Sequence, residues 1–229
     1  MNNNDKSHPQ MPKDQQKIRT FGRRHGKRVS QRQQALLDNL LPVISPKSDE
    51  KAGKGFILEI GFGNGEHLRE IALEHPNDII IGAEPFINGV ASLLSSMTSE
   101  EDNSVLDDYK NIRVWGDDVR KILETDSSDF IDLRFSKIYV LHPDPWPKAR
   151  HEKRRLLNSE FLTLLASKLD QDGQIIIGTD HWEYYDWVLD QVKNTNLKIQ
   201  TTEMDIIQTR YQKKNKAETS EPKYLVLSN

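Results

Sequence analysis

The residues from Leu141 to Pro147 read Leu-His-Pro-Asp-Pro-Trp-Pro, and the next eight, Lys148 to Arg155, carry five cations against one acid. Each proline fixes φ and removes a backbone donor, so the chain leaves regular structure here and forms a stiff loop that presents Asp144 and Trp146. A carboxylate and an indole thus stand beside a basic cluster. That set suits a site that grips an anionic polymer by its phosphates while placing one flat, polar base against a stacking surface and an acceptor, as base modification of RNA requires. Trp146 either stacks on the base or packs beneath the loop. Lys148, Arg150, Lys153, Arg154 and Arg155 read as phosphate anchors rather than base readers, because a cluster of varied reach supplies affinity without sequence information.

A second constellation, Glu59-Ile60-Gly61-Phe62-Gly63-Asn64-Gly65-Glu66, follows an apolar run. Glycines let the backbone turn tightly and approach a ligand. A dinucleotide fingerprint would place a third small residue where Glu66 stands. An acid at that helix entrance is poorly matched to pyrophosphate. It suits a ligand with a cationic portion, such as S-adenosylmethionine, whose sulfonium and ammonium favour nearby acids such as Glu59. Two further acids end apolar runs. Glu84, after Gly82-Ala83, is placed to accept from ribose hydroxyls. Asp118, with Asp117 as the alternative, is placed to accept from the exocyclic amine of adenine. The seven histidines show no metal-ligand spacing, so no metal is expected.

The elements that must position these residues alternate. Strands are expected at Phe56–Ile60, Ile79–Gly82, Ile112–Trp115, Lys137–Leu141, Gln174–Gly178, Leu197–Glu203 and Tyr224–Leu227. Helices are expected at Gln31–Leu41, stopped by Pro42, and at Glu66–Glu74, Ile87–Met97, Asp118–Glu124, Ser159–Leu169 and Trp182–Val192. Short apolar runs between helical patterns argue for a parallel sheet covered on both faces, an α/β, doubly wound, Rossmann-like fold, and the last two strands for an antiparallel edge. In this layout the acids all fall at carboxyl ends of strands, where open α/β sheets bind ligands.

Composition agrees. The 229 residues, 35% apolar, suffice for one core. The net charge of −3 hides segregation: residues 1–34 carry nine Lys/Arg against two Asp/Glu. Residues 1–17 read as a disordered tail, 18–45 as a basic arm with a short helix, and 46–229 as the catalytic domain. The arm either lies along RNA or is a mobile basic terminus. Absence of cysteine removes a thiolate nucleophile and cysteine-ligated metal clusters. The Asn-, Gln- and Lys-rich start offers no signal peptide or membrane span, so a cytoplasmic protein without membrane contact is expected, as a monomer or small homo-oligomer.

Taken together, Glu59-Ile60-Gly61-Phe62-Gly63-Asn64-Gly65, Pro143-Asp144-Pro145-Trp146 with Lys148, Gly178-Thr179-Asp180 and Thr209-Arg210-Tyr211-Gln212 resemble the bacterial tRNA (guanine-N7-)-methyltransferases, within the class I S-adenosylmethionine-dependent methyltransferases. The resemblance runs from Arg19 to about Leu227. It implies cofactor contacts at Glu59, Glu84, Asp118 and Asp144, with Gly61 and Gly63 in the glycine loop, and tRNA contacts at Lys148, Asp180 and Thr209 to Gln212. It also implies the variable-loop guanosine, usually numbered 46, as target, with Asp144 at the junction of cofactor and base. Pro85-Phe86, Pro147 and Gln212 depart from the family pattern, which usually has valine and histidine, histidine, and glutamate there. Two other readings stand beside it: a methyltransferase acting on another RNA base, and a non-catalytic RNA-binding protein on the same fold.

Overall fold

In the computed structural model, Ile18 and residues 20–47, 55–124, 133–200 and 222–229 are described. Ser30 opens α1 (Gln31–Asn39) with a reciprocal capping box: its hydroxyl accepts from the Gln33 amide, and the Gln33 side chain accepts from the Ser30 amide. Pro42 does not merely end this helix, as expected. It sits in the first turn of a second short helix, α2 (Leu41–Ile44), where its missing N–H leaves no bond unmade.

The chain then runs β1 (Phe56–Ile60), α3 (Glu66–Glu74), β2 (Ile79–Ala83), α4 (Ile87–Ser96), β3 (Ile112–Trp115), α5 (Arg120–Leu123), β4 (Phe135–Leu141), α6 (Ser159–Ser167), β5 (Leu169–Thr179), α7 (Trp182–Val192), β6 (Lys198–Gln200) and β7 (Lys223–Ser228). Short 3-10 turns cover Asp107–Tyr109 and Ala149–Arg154. The strands form one sheet in the order β3-β2-β1-β4-β5-β7-β6. The first five are parallel; β7 is antiparallel to both neighbours, and β6 closes the edge outside it. The antiparallel pair is therefore at the expected edge, with β7 inside β6.

Both faces of the sheet are buried, which is why its inner strands read as continuous apolar runs. Leu58, Ile60, Ile138, Val140, Ile175 and Ile177 pack beneath α6 and α7, against Phe161, Leu165, Tyr184 and Val188. Ile57, Ile80, Tyr139 and Ile176 pack on the other face, against Leu36 of α1, Leu68 and Ile71 of α3, and Val90 and Leu93 of α4. Each such aliphatic side chain contributes about 1.5–3 kcal/mol on full burial. From β1 the chain builds outward to β3 and then returns to β4 beside β1, so the strand order reverses between them. A crevice opens at the carboxyl ends of strands on either side of such a reversal. No helix among the described residues is long and apolar enough to cross a membrane.

Candidate active site

A cavity of about 630 Å³ occupies that crevice. Its walls include Ile60 and Gly61 after β1, Ala83 and Glu84 after β2, Asp118 after β3, and His142, Pro143, Asp144 and Trp146 after β4. Gly61 and Gly63 take positive φ, +76° and +58°, and a Cβ on either would meet nothing within 4 Å. The loop therefore leaves space on its outer side. Glu84 ties it to β2: one carboxylate oxygen accepts from the Gly63 amide and the other from the Phe86 amide, each at 2.8 Å. Each oxygen keeps a lone pair for a ligand hydroxyl. Burial pushes the Glu84 carboxyl above its ordinary range despite those two amides, with the nearby charges of Asp144 and Glu59 acting in the same direction.

Asp118, preferred over Asp117 on sequence grounds, is the one of the pair that lines the cavity. Its carboxylate is fully engaged. Arg120 donates Nε to Oδ1 at 2.9 Å and Nη2 to Oδ2 at 2.7 Å, its backbone amide reaches Oδ1 at 3.1 Å, and Thr20 Oγ1 donates to Oδ2 at 2.7 Å. Burial opposes ionisation, but the Arg120 and Thr20 hydrogen bonds hold the Asp118 carboxyl below its usual value. Asp117 instead pairs with Arg24 and Lys121.

The arm thus lies across the cavity. Thr20, Phe21, Gly22 and Arg23 form part of its wall. The segment is pinned by the Ile87 amide donating to the Arg24 carbonyl at 3.0 Å, the Gly26 amide donating to Asn88 Oδ1, and the Asn88 amide group donating to the Lys27 carbonyl, both at 2.6 Å. Of the two expectations for the basic segment, along RNA or mobile, the structure gives neither directly. Residues 20–23 line the cavity, and residues 24–27 are held to α4 by the hydrogen bonds above.

Glu59 and Gly63 are not walls of the cavity. Glu59, 3% exposed, lies beneath α3 with its carboxylate 3.3 Å from His67 Nδ1, and the His67 ring meets Tyr139 edge-on at 4.9 Å. Strand alternation puts Glu59 on the same face as Ile57.

The proline loop is held by its own basic tail. Arg155 donates from Nε to the Pro145 carbonyl at 3.0 Å and from Nη2 to the Trp146 carbonyl at 3.4 Å, while its guanidinium covers Trp187 at 4.9 Å and Tyr184 at 5.8 Å. Arg154 lies over Trp146 at 4.9 Å and over Phe21 at 5.7 Å, joining loop and arm. These two cations, expected among the phosphate anchors, brace the loop. Lys148, Arg150 and Lys153 are exposed. Trp146, at φ +42°, packs against Arg154 and meets His151 edge-on at 5.6 Å. Asp144 is exposed and faces the cavity, and a Cβ on Gly22 would lie 3.4 Å from its Oδ2.

Asp180, at the end of β5, stands outside the cavity walls but is linked to them through His142, whose Nδ1 is 3.8 Å from Asp180 Oδ1. Burial pushes the His142 imidazole down, against the opposing pull of Asp180. Thr209, Arg210, Tyr211 and Gln212 lie outside the described residues. Thr20, Phe21, Arg120 and His142 join the site without having been singled out as candidates for it. No local pattern encodes a contact between Thr20 and Asp118, whereas Arg120 follows Asp118 by two residues and His142 precedes Asp144 by two, so proximity in sequence was an available signal for both.

Residues 54–225 match a family model described as "Putative methyltransferase". The tRNA (guanine-N(7)-)-methyltransferase of Neorickettsia sennetsu is 32% identical over 197 residues, covering 86% of this chain and 85% of that one. The protein of the same name from Caulobacter vibrioides (strain NA1000 / CB15N) is 37% identical over 182 residues, covering 76% of each. Among solved structures, an antibiotic-related methyltransferase superposes with a TM-score of 0.52 at 12% identity, covering 89% of this chain and 96% of that one. A fibrillarin/Nop5p complex chain gives 0.51 at 15% identity, covering 78% and 74%. At such identities the two structures speak to the fold alone.

Proposed function

This chain belongs to the tRNA (guanine-N(7)-)-methyltransferase family, and on that premise we propose that it transfers the methyl group of S-adenosylmethionine to N7 of a tRNA guanosine, the variable-loop guanosine at position 46. The observation that carries the reading is one cavity bounded by a glycine turn, by the acids that end β2 and β3, and by Asp144 of the proline loop.

The residues present fit the cofactor. The cavity has the volume of a nucleoside-sized ligand. Gly61 and Gly63 leave room where side chains would stand, Glu84 keeps free lone pairs, and Asp144 faces the cavity as a carboxylate suited to a cationic ligand. When bound, S-adenosylmethionine supplies an electrophilic methyl group on a positively charged sulfur. Glu84 would hold the ribose. Asp118 would accept from the adenine amine, and since Thr20 and Arg120 already fill its lone pairs, the Thr20 contact has to yield.

Guanine N7 carries a lone pair and no proton, so the chain need not supply a base for it. Orientation dominates, and holding two reactants in line lowers a barrier by up to about 7–11 kcal/mol in favourable systems. Asp144 would stand where cofactor and base meet, and Asp180, steadied by His142, would accept from guanine N1–H or N2–H. Both carboxylates favour the positive charge that grows on the base. Lys148, Arg150 and Lys153 would take phosphates.

Incubation of bulk tRNA with the purified protein and labelled methyl donor, followed by mass-spectrometric nucleoside analysis, tests the proposal. Labelled N7-methylguanosine is expected; label in another nucleoside, or in none, overturns it.

A pH dependence follows from Glu84. Ribose hydroxyls donating into its carboxylate favour the ionised form, so the bound protein holds Glu84 at a lower pKa than the free protein, where burial raises it. Affinity is then complete above the free-state pKa and declines as pH falls through it. Calorimetric titration with the cofactor from neutral pH into the acid range should show this decline. Glu84→Gln should bind more weakly with a flatter profile, and an unchanged profile would remove Glu84 from the ribose contact.

A further inference from the structure

The four aromatic residues of α7 divide by what they touch. Tyr184 is fully buried and stacks on Trp187 at 5.6 Å; the Trp187 indole N–H donates to Glu152, and both rings lie under Arg155, which holds the proline loop. Trp182 and Tyr185 take no part in that brace. Trp182, the first residue of α7, is 51% exposed. Lys223 at the start of β7 sets its ammonium over the Trp182 ring at 4.2 Å and over Tyr185 at 4.9 Å.

The topology puts this cluster at the reactive edge. Helix α7 begins where β5 ends, and Lys223 pairs in register with Thr179, the residue before Asp180. The indole is left half in water, two residues after a candidate base-binding acid, with the Lys223 ammonium over its ring. We propose that Trp182, Tyr185 and Lys223 form a stacking platform for a tRNA base flanking the target guanosine, an inference that rests on the tRNA reading above. Relative magnitudes favour displacement of the resident cation. An exposed ammonium over a ring is held more weakly than a nucleic-acid base stacked on an aromatic side chain. The base therefore takes the indole, and the flexible lysine turns to the adjoining phosphate. Glu183 and Asp186, exposed on the same helix, disfavour a phosphate directly over α7 and leave the base as the group that seats there.

Steady-state kinetics on tRNA with Trp182→Ala, Trp182→Phe and wild type test the platform, with cofactor affinity measured in parallel. Trp182→Ala should raise KM for tRNA by about fivefold or more, with kcat and cofactor affinity close to wild type. Trp182→Phe should recover most of the loss, because it keeps a stacking face. An unchanged KM in Trp182→Ala, or equal losses in both variants, overturns the platform while leaving the tRNA reading intact. Wild type that methylates no tRNA removes that reading and the platform with it.

Discussion

Replacement of Asp144 by Asn is expected to lower turnover by about a hundred- to a thousand-fold, the range seen when a preorganised electrostatic group facing a developing charge is lost. Asn keeps the shape and an accepting oxygen, so the loss isolates the negative charge. The loop should survive the change, because its restraints lie elsewhere: Arg155 binds the carbonyls of Pro145 and Trp146, and Arg154 covers the Trp146 ring. Asp144 itself is exposed and fills no core position. Transfer of tRNA to the protein should therefore be nearly unchanged in a filter-binding titration. Single-turnover measurements with saturating cofactor read the chemical step, and near-normal rates there would refute the role given to Asp144. The same charge helps to raise the Glu84 pKa, so the variant should also titrate Glu84 closer to its ordinary value.

Strand and helix alternation was legible because both sheet faces are covered, leaving runs that are unbroken in Ile79–Ala83 and interrupted only by Glu59 in Phe56–Ile60. The acids at strand ends were legible for the same reason: polar residues that terminate such runs stand out. What local pattern could not supply was long-range docking. Thr20 meets Asp118 across 98 positions, and nothing near either residue announces it. Pro42 was misjudged because a proline ends one helix or begins another, and only the turn at Leu40 decides between them. The basic run carries contacts that its charge does not announce. Charge alone marks Arg154 and Arg155 as solvent-facing, yet the aromatic side chains that draw them inward come from Phe21, Trp146 and α7. Glu59 was within reach of sequence reasoning. Period-two alternation along β1 places it with Ile57, beneath α3, rather than toward the crevice mouth.

Gly89, in the first turn of α4, carries the second large expected effect. A Cβ there would lie 2.2 Å from the Gly63 carbonyl oxygen and 3.0 Å from its carbon, both backbone atoms, and 3.5 Å from Glu84 Cγ. By helix propensity alone Gly89→Ala should stabilise α4 by about 1 kcal/mol. The steric term opposes it, since forcing an extra methyl into packed structure costs about 1–3 kcal/mol. Of the two sides of the contact, the glycine turn is the more able to move: Gly63 has space outside it, whereas α4 is anchored by buried Val90, Leu93 and Leu94. Displacing Gly63 breaks the amide contact to Glu84, so the damage reaches the proposed ribose acceptor directly. Cofactor affinity should fall about tenfold or more, equivalent to about 1.4 kcal/mol, with a smaller change in thermal midpoint. Gly55→Ala is the control, because its Cβ would make only ordinary contact with Ser136 at 3.6 Å. Calorimetric titration of both variants decides the matter: wild-type affinity in Gly89→Ala would mean that the helix, not the turn, gives way.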